Sequence, residues 1–158
     1  MPQKTTQGKA GPIRLAPEDM VKVDQFKPWW IRCSKCSRLA YMMPRWRERE
    51  GECKCGSCGG IYEIPFDAEY NRIFPNLPLW LKSDFRKRVF WALNAEHLEL
   101  LERVIRSELR ERPIYNGRRL PLTTRMPFNL PSWILSAKNR PDLLKLIARL
   151  RNTIPLTW

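Results

Sequence analysis

Cys33-Ser34-Lys35-Cys36 and, after eighteen intervening residues, Cys55-Gly56-Ser57-Cys58-Gly59 are the stretches on which the fold turns. A Cys-x-x-Cys turn aims two thiolates at one ion, and a second such turn completes a tetrahedron with sulfurs about 2.3 Å from the metal. The intervening length falls within the roughly 15 to 20 residues of a two-knuckle zinc site. The pattern predicts one structural Zn2+ held by Cys33, Cys36, Cys55 and Cys58. Cys53 stands two residues before Cys55, on the same side of a strand, and is a possible substitute for it. Cys55 is preferred because Gly56 and Gly59 suit a knuckle that turns tightly through positive φ. All five cysteines fall between Cys33 and Cys58, an odd number packed into one segment. A secreted disulfide scaffold would spread an even number along the chain.

Working outward, the segment repeats itself once. Residues 36–44 (CSRLAYMMP) parallel residues 58–65 (CGGIYEIP): a knuckle, a short strand, then a proline that ends it. With these features residues 31–65 resemble the small zinc-ribbon modules found in many bacterial and archaeal proteins. That resemblance implies two facing halves around one metal. Ser37 stands where the pattern usually has Gly, and Ser34 where Pro is common. The stretch from Leu79 to Asn94, with residues 136–140 (SAKNR), resembles small bacterial zinc-ribbon proteins of unassigned function, a likeness that implies no activity.

The expected fold class is α+β, an N-terminal zinc ribbon of short antiparallel strands followed by a small β-hairpin and a helical C-terminal region. We divide the chain into a flexible basic arm over residues 1–28, the ribbon over 29–66 and a basic α+β or helical domain over 67–158, with the ribbon a unit apart. Strands are expected at Leu79–Lys82 and Val89–Leu93 around a polar turn from Ser83 to Lys87. Asn94 is a good N-cap for the strongest helix, whose Leu98, Leu101, Val104, Ile105 and Leu109 recur at three- and four-residue steps. Arg110 and Arg112 would lie in its last turn, before Pro113. Two further helices are expected, a short one over 131–138 and one over 141–151 with Leu143, Leu144, Ile147 and Leu150 as its apolar stripe. The hydrophobic faces of these helices should share one core.

The 158 residues carry 29 Lys and Arg against 16 Asp and Glu, a formal net charge of +13. Such an excess points to a polyanionic partner, nucleic acid before membrane. The last 45 residues hold eight basic residues against Asp142 alone, so the excess is concentrated there. Arg118, Arg119, Arg125, Lys138, Arg140, Lys145 and Arg149 are therefore the candidate nucleic-acid contacts, with a weak helix-turn-helix outline around Lys138-Asn139-Arg140. Residues 1–20 lack an apolar signal core, and no apolar run reaches the roughly 20 residues of a membrane span. A cytoplasmic protein with no membrane partner is expected. The single histidine, His97, reads as a surface or half-buried structural residue. No phosphate loop, nucleophile elbow or separate carboxylate cluster is present, so an enzyme is not expected. Three readings of function remain: a DNA- or RNA-binding protein, as a non-catalytic subunit of a nucleoprotein complex; a protein–protein adaptor presenting Trp29, Trp30, Trp46 and Tyr41; and, least favoured, an enzyme whose site the motifs do not reveal.

Overall fold

The computed structural model describes residues 26–66, 74, 76–107, 114–115, 118–119 and 130–156. Four antiparallel strands, β1 (Trp29–Arg32), β2 (Leu39–Arg45), β3 (Glu50–Lys54) and β4 (Ile61–Pro65), form one sheet in that order. Trp29 pairs with Met42, Met42 with Cys53, and Cys53 with Tyr62. Side chains alternate along a strand, so Trp29, Ile31, Ala40, Met42 and Cys53 share one face, and all five are buried. Gly51 is needed beneath Met42, because a Cβ there would collide with the methionine side chain. Consecutive strands run in opposite directions. Both Cys-x-x-Cys knuckles, between β1 and β2 and between β3 and β4, therefore emerge at the same end of the sheet.

A hairpin follows, β5 (Leu81–Phe85) with β6 (Arg88–Ala92). It differs from the expected strands and wider turn. Arg86 adopts φ 57, so Arg86 and Lys87 alone make the reversal. Ser83 and Asp84 then remain in the ladder opposite Phe90 and Val89. The outer edge of β1 does not face solvent. Its Trp30 N–H donates to Leu93 O at 2.7 Å, its Arg32 N–H to Pro78 O at 2.7 Å, and Trp80 N–H donates back to Trp30 O at 2.9 Å. An edge strand with free donors and acceptors invites unwanted pairing, and this contact removes it. Buried apolar residues form one continuous cluster from Phe26 through the sheet and hairpin to Leu150.

The helix α1 (Ala95–Arg106) starts where its N-cap places it, with Asn94 Oδ1 accepting from His97 N–H at 3.0 Å. Its end differs from expectation. Ser107 turns to extended backbone, its hydroxyl donating to Val104 O at 2.7 Å and its N–H to Arg103 O at 3.0 Å. That cap stops the helix before Arg110 and Arg112, which lie outside the described residues with Leu109. Two short strands pair next, β7 (Ile114–Tyr115) and β8 (Arg118–Arg119). The expected helix over 131–138 shrinks to α2 (Ser132–Leu135), and α3 (Arg140–Arg151) follows. Between them Asn139 donates its side-chain amide to Trp133 O at 2.9 Å and its N–H to Ser136 O at 3.1 Å, which closes a turn where helix was expected.

The α3 stripe also shifts. Leu143, Leu146, Ile147 and Leu150 are buried while Leu144 is only half-buried. Leu98, Leu101 and Ile105 of α1 join Leu143, Ile147 and Leu150 in the one core, as the periodicity predicts. Glu102, on α1, pairs with Arg106 and reaches across to Arg151, fastening α3 at its C-terminal end.

His97 is a correction, since it is neither on the surface nor half-buried but 1% exposed. Its ring stacks on Phe26 with centroids 4.7 Å apart, and its Nδ1 accepts from Leu93 N–H at 3.1 Å. Burial pushes its pKa down to about 3. Phe26, Lys27 and Pro28 are the described part of the basic arm, whose first 25 residues lie outside the described set. Among the described residues no helix is long and apolar enough to cross a membrane.

Candidate metal centre and basic surface

The two knuckles bring Cys33, Cys36, Cys55 and Cys58 together, with their four sulfurs within 4.8 Å of one another. Cys33 Sγ lies 3.8 Å from Cys58 Sγ, and Cys36 Sγ lies 3.6 Å from Cys55 Sγ. A tetrahedron with metal–sulfur bonds of about 2.3 Å has sulfur–sulfur edges of about 3.8 Å. The donor set and its spacing therefore fit a single four-coordinate metal ion. Cys53 lies outside the group. It is fully buried, its thiol points at Gly51 O at 3.5 Å, and burial first of all raises its pKa to about 11.

The knuckles match in backbone as well as in sequence. Ser37 N–H donates to Cys33 O and Gly59 N–H to Cys55 O, both at 2.9 Å. Cys33 N–H donates to Arg38 O at 2.8 Å and Cys55 N–H to Gly60 O at 2.9 Å. These turns aim amide hydrogens at the first sulfur of each pair, as from Lys35 N–H to Cys33 Sγ at 3.4 Å. Burial raises the Cys33 thiol, yet the Cys36 and Lys35 N–H groups and the Tyr62 hydroxyl outweigh it and bring the pKa to about 6. The Cys58 N–H likewise lowers Cys55 against burial. At Cys36 the Arg38 N–H lowers the pKa, but burial and the neighbouring sulfurs prevail and raise it to about 11. Four thiols this close resist ionising together. A bound cation removes that resistance, because the thiolate is the ligand form.

Each knuckle turns through a left-handed residue, Ser37 at φ 61 and Gly59 at φ 68. L-residues with a Cβ are strained there by roughly 1–2 kcal/mol, and glycine is not. Ser37→Gly is expected to stabilise the protein by about 0.5–1 kcal/mol, and Gly59→Ala to destabilise it by about 1 kcal/mol. No atom lies within 4 Å of a Cβ at Gly59, so the second variant tests conformation alone. Urea midpoints of the metal-bound variants check both signs.

The predicted basic residues do not all meet. Lys138, Lys145 and Arg149 are exposed. Arg140 is half-buried, and its Nε is enclosed without a hydrogen-bond partner among the described residues. Arg118 and Arg119 form β8, while Arg125 lies outside the described residues. Lys145 and Arg149 flank an open depression of about 510 Å³ with Phe85, Asp142 and Ala148. The structure adds a group not singled out from sequence, the Arg86-Lys87-Arg88 tip of the hairpin. Arg86 donates to Asn139 Oδ1 at 2.8 Å and pairs with Asp142 at 3.2 Å, which anchors the tip at the start of α3. Phe85 stacks on Trp133 with centroids 5.6 Å apart, and the Arg88 guanidinium lies 6.0 Å from the Trp133 ring. The sequence signal was present, three consecutive cations of which the first two fall in the predicted turn, but only the fold sets the tip beside α3.

The aromatic residues assigned to the adaptor reading are mostly engaged inside. Trp29 is fully buried against Trp46, Phe66 and Phe74, and Trp30 is 7% exposed. Tyr41 and Trp46 are half-buried. No family model matches this chain, and comparison with curated proteins and with solved structures finds no match either.

Proposed function

We propose that this is a small basic protein whose four-cysteine cluster holds one structural Zn2+ and whose α3 surface binds the phosphates of DNA or RNA, as a non-catalytic subunit of a nucleoprotein complex. The observation that carries the reading is the placement of Lys145 and Arg149. They stand four residues apart on the exposed side of α3, and among the described residues neither forms an ion pair. The one acid of this region, Asp142, is already engaged by Arg86. The hairpin tip adds Lys87 and Arg88 to the same neighbourhood. A soft, four-thiolate donor set suits zinc, and a closed set of four protein ligands suits a structural role.

Phosphate contacts release counterions, so affinity for labelled oligonucleotides should fall with salt at a log–log slope of roughly −0.7 to −0.9 per contact. Lys145→Ala with Arg149→Ala should weaken binding to all sequences alike and flatten that slope by about one to two units. These two residues are a better pair than one including Arg140, whose guanidinium is partly enclosed. A parent protein that binds neither DNA nor RNA at moderate salt would replace this reading with the adaptor one.

A further inference from the structure

The ends of α3 are both marked by a half-buried tryptophan with an arginine over its face. At the N-terminal end Trp133 is tied to Asn139 through its carbonyl and carries Arg88 at 6.0 Å. At the C-terminal end Trp80 donates its indole N–H to Thr153 O at 3.2 Å and carries the Arg32 guanidinium at 4.9 Å. Both rings are half-buried against the core, Trp133 with Phe85 stacked on it, and the arginine over each is itself exposed, so a base would enter by displacing or joining that guanidinium. Between them α3 runs 12 residues, about 18 Å at the helical rise. Lys145 and Arg149 occupy that interval, and Arg149 stands four residues before Thr153, one turn from the Trp80 anchor. Arg32 opens the first cysteine knuckle, its guanidinium also donating to Ser37 O at 3.4 Å. Arg32 and Trp80 therefore link the first cysteine knuckle to the C-terminal end of α3.

On the strength of the nucleic-acid reading above, we propose that this surface is a single-strand track: a base stacks at Trp133 and another at Trp80, while the phosphates between them lie on Lys145 and Arg149. Alternating aromatic faces and cations are what a single strand requires, because its bases expose π-faces that a duplex hides within its own stack. The spacing suits the shortest single-strand sites, about 4 nucleotides. A helix-turn-helix reader of duplex sets its recognition helix behind a preceding helix that crosses the backbone, and α2 has only 4 residues. The arrangement also gives the metal centre a share in binding. The first knuckle holds Arg32 in place over Trp80.

The test measures fluorescence anisotropy of the metal-bound protein with labelled dT12, rU12 and a 12-base-pair duplex. The parent should bind both single strands at least ten-fold more tightly than the duplex. Trp133→Ala and Trp80→Ala should each weaken single-strand binding roughly ten-fold and leave the salt slope unchanged, since a lost stack releases no counterion. Trp133→Phe and Trp80→Phe, which keep a ring, should recover most of the affinity. Circular dichroism and metal content of each variant confirm that it is folded. Equal binding of duplex and single strands, or folded alanine variants that bind as the parent does, would overturn the track. Either result leaves the phosphate-binding reading standing if Lys145→Ala with Arg149→Ala still weakens binding. Loss of all oligonucleotide binding by the parent would remove both.

Discussion

Cys36→Ser is expected to abolish stoichiometric metal binding and to unfold the four-stranded sheet. Metal analysis should find one equivalent in the parent and none in the variant. Binding at a four-thiolate site contributes on the order of 10 kcal/mol to modules of this kind, comparable with the whole stability of an ordinary domain. The consequence should spread beyond the knuckles. Trp30 and Arg32 of β1 are hydrogen-bonded to Leu93 and Pro78, and the sheet shares its buried cluster with the hairpin and helices. Chelation should accordingly lower the near-ultraviolet dichroism of the whole chain. Cys53→Ser is the contrasting variant. Its thiol lies outside the sulfur cluster, so a full metal equivalent should survive there. A Cys55→Ser protein that retained the full equivalent would instead place Cys53 among the ligands.

Acid should destabilise the protein through His97 in a window set by its burial. Its pKa in the folded state is about 3, against an ordinary value of 6.5. The unfolded chain therefore takes up a proton below pH 6.5 that the folded chain refuses until about pH 3. The stability linked to this group is complete above pH 6.5 and is lost as the pH falls towards 3, at up to about 1.4 kcal/mol per pH unit. His97→Gln keeps an acceptor for Leu93 N–H and cannot titrate. Urea midpoints of parent and variant should converge as pH falls, by an equivalent of about 2–3 kcal/mol across two pH units. Loss of metal from the thiolates acts on both proteins and cancels in the difference. Parallel pH profiles would show that His97 does not titrate as its burial dictates.

Much of this was legible in the residues alone. The Cys-x-x-Cys spacing announced the four-cysteine cluster, because a site for a tetrahedral ion needs two tight turns, and tight turns are local chemistry. The duplicated CSRLAYMMP and CGGIYEIP segments announced paired strands, and the α+β class followed. The α1 start and the α1–α3 apolar faces were equally readable, since capping and a 3.6-residue period depend on near neighbours. Boundaries decided by side-chain bonds were not. Ser107 ends α1 through its own hydroxyl, and Asn139 halts α2 by reaching back to Trp133. The stripe was also expected to include Leu144, whereas the helix buries Leu146 in its place.

What the sequence by itself determined is the four-cysteine cluster, the strand-forming repeat and the excess of positive charge, all properties of residue identity and short spacing. Tertiary structure alone decided the rest. It drew His97 into an aromatic interior, because Phe26 arrives from a distant segment to stack on the ring that Trp91 already flanks. It sealed β1 with residues 78–80 and Leu93, so that the sheet's edge became the junction with the downstream region. It set the Arg86-Lys87-Arg88 tip against the start of α3 and Trp80 against its end. Contacts between residues forty or more positions apart leave no periodic trace in a chain. Their free energy is settled only when desolvated surfaces meet.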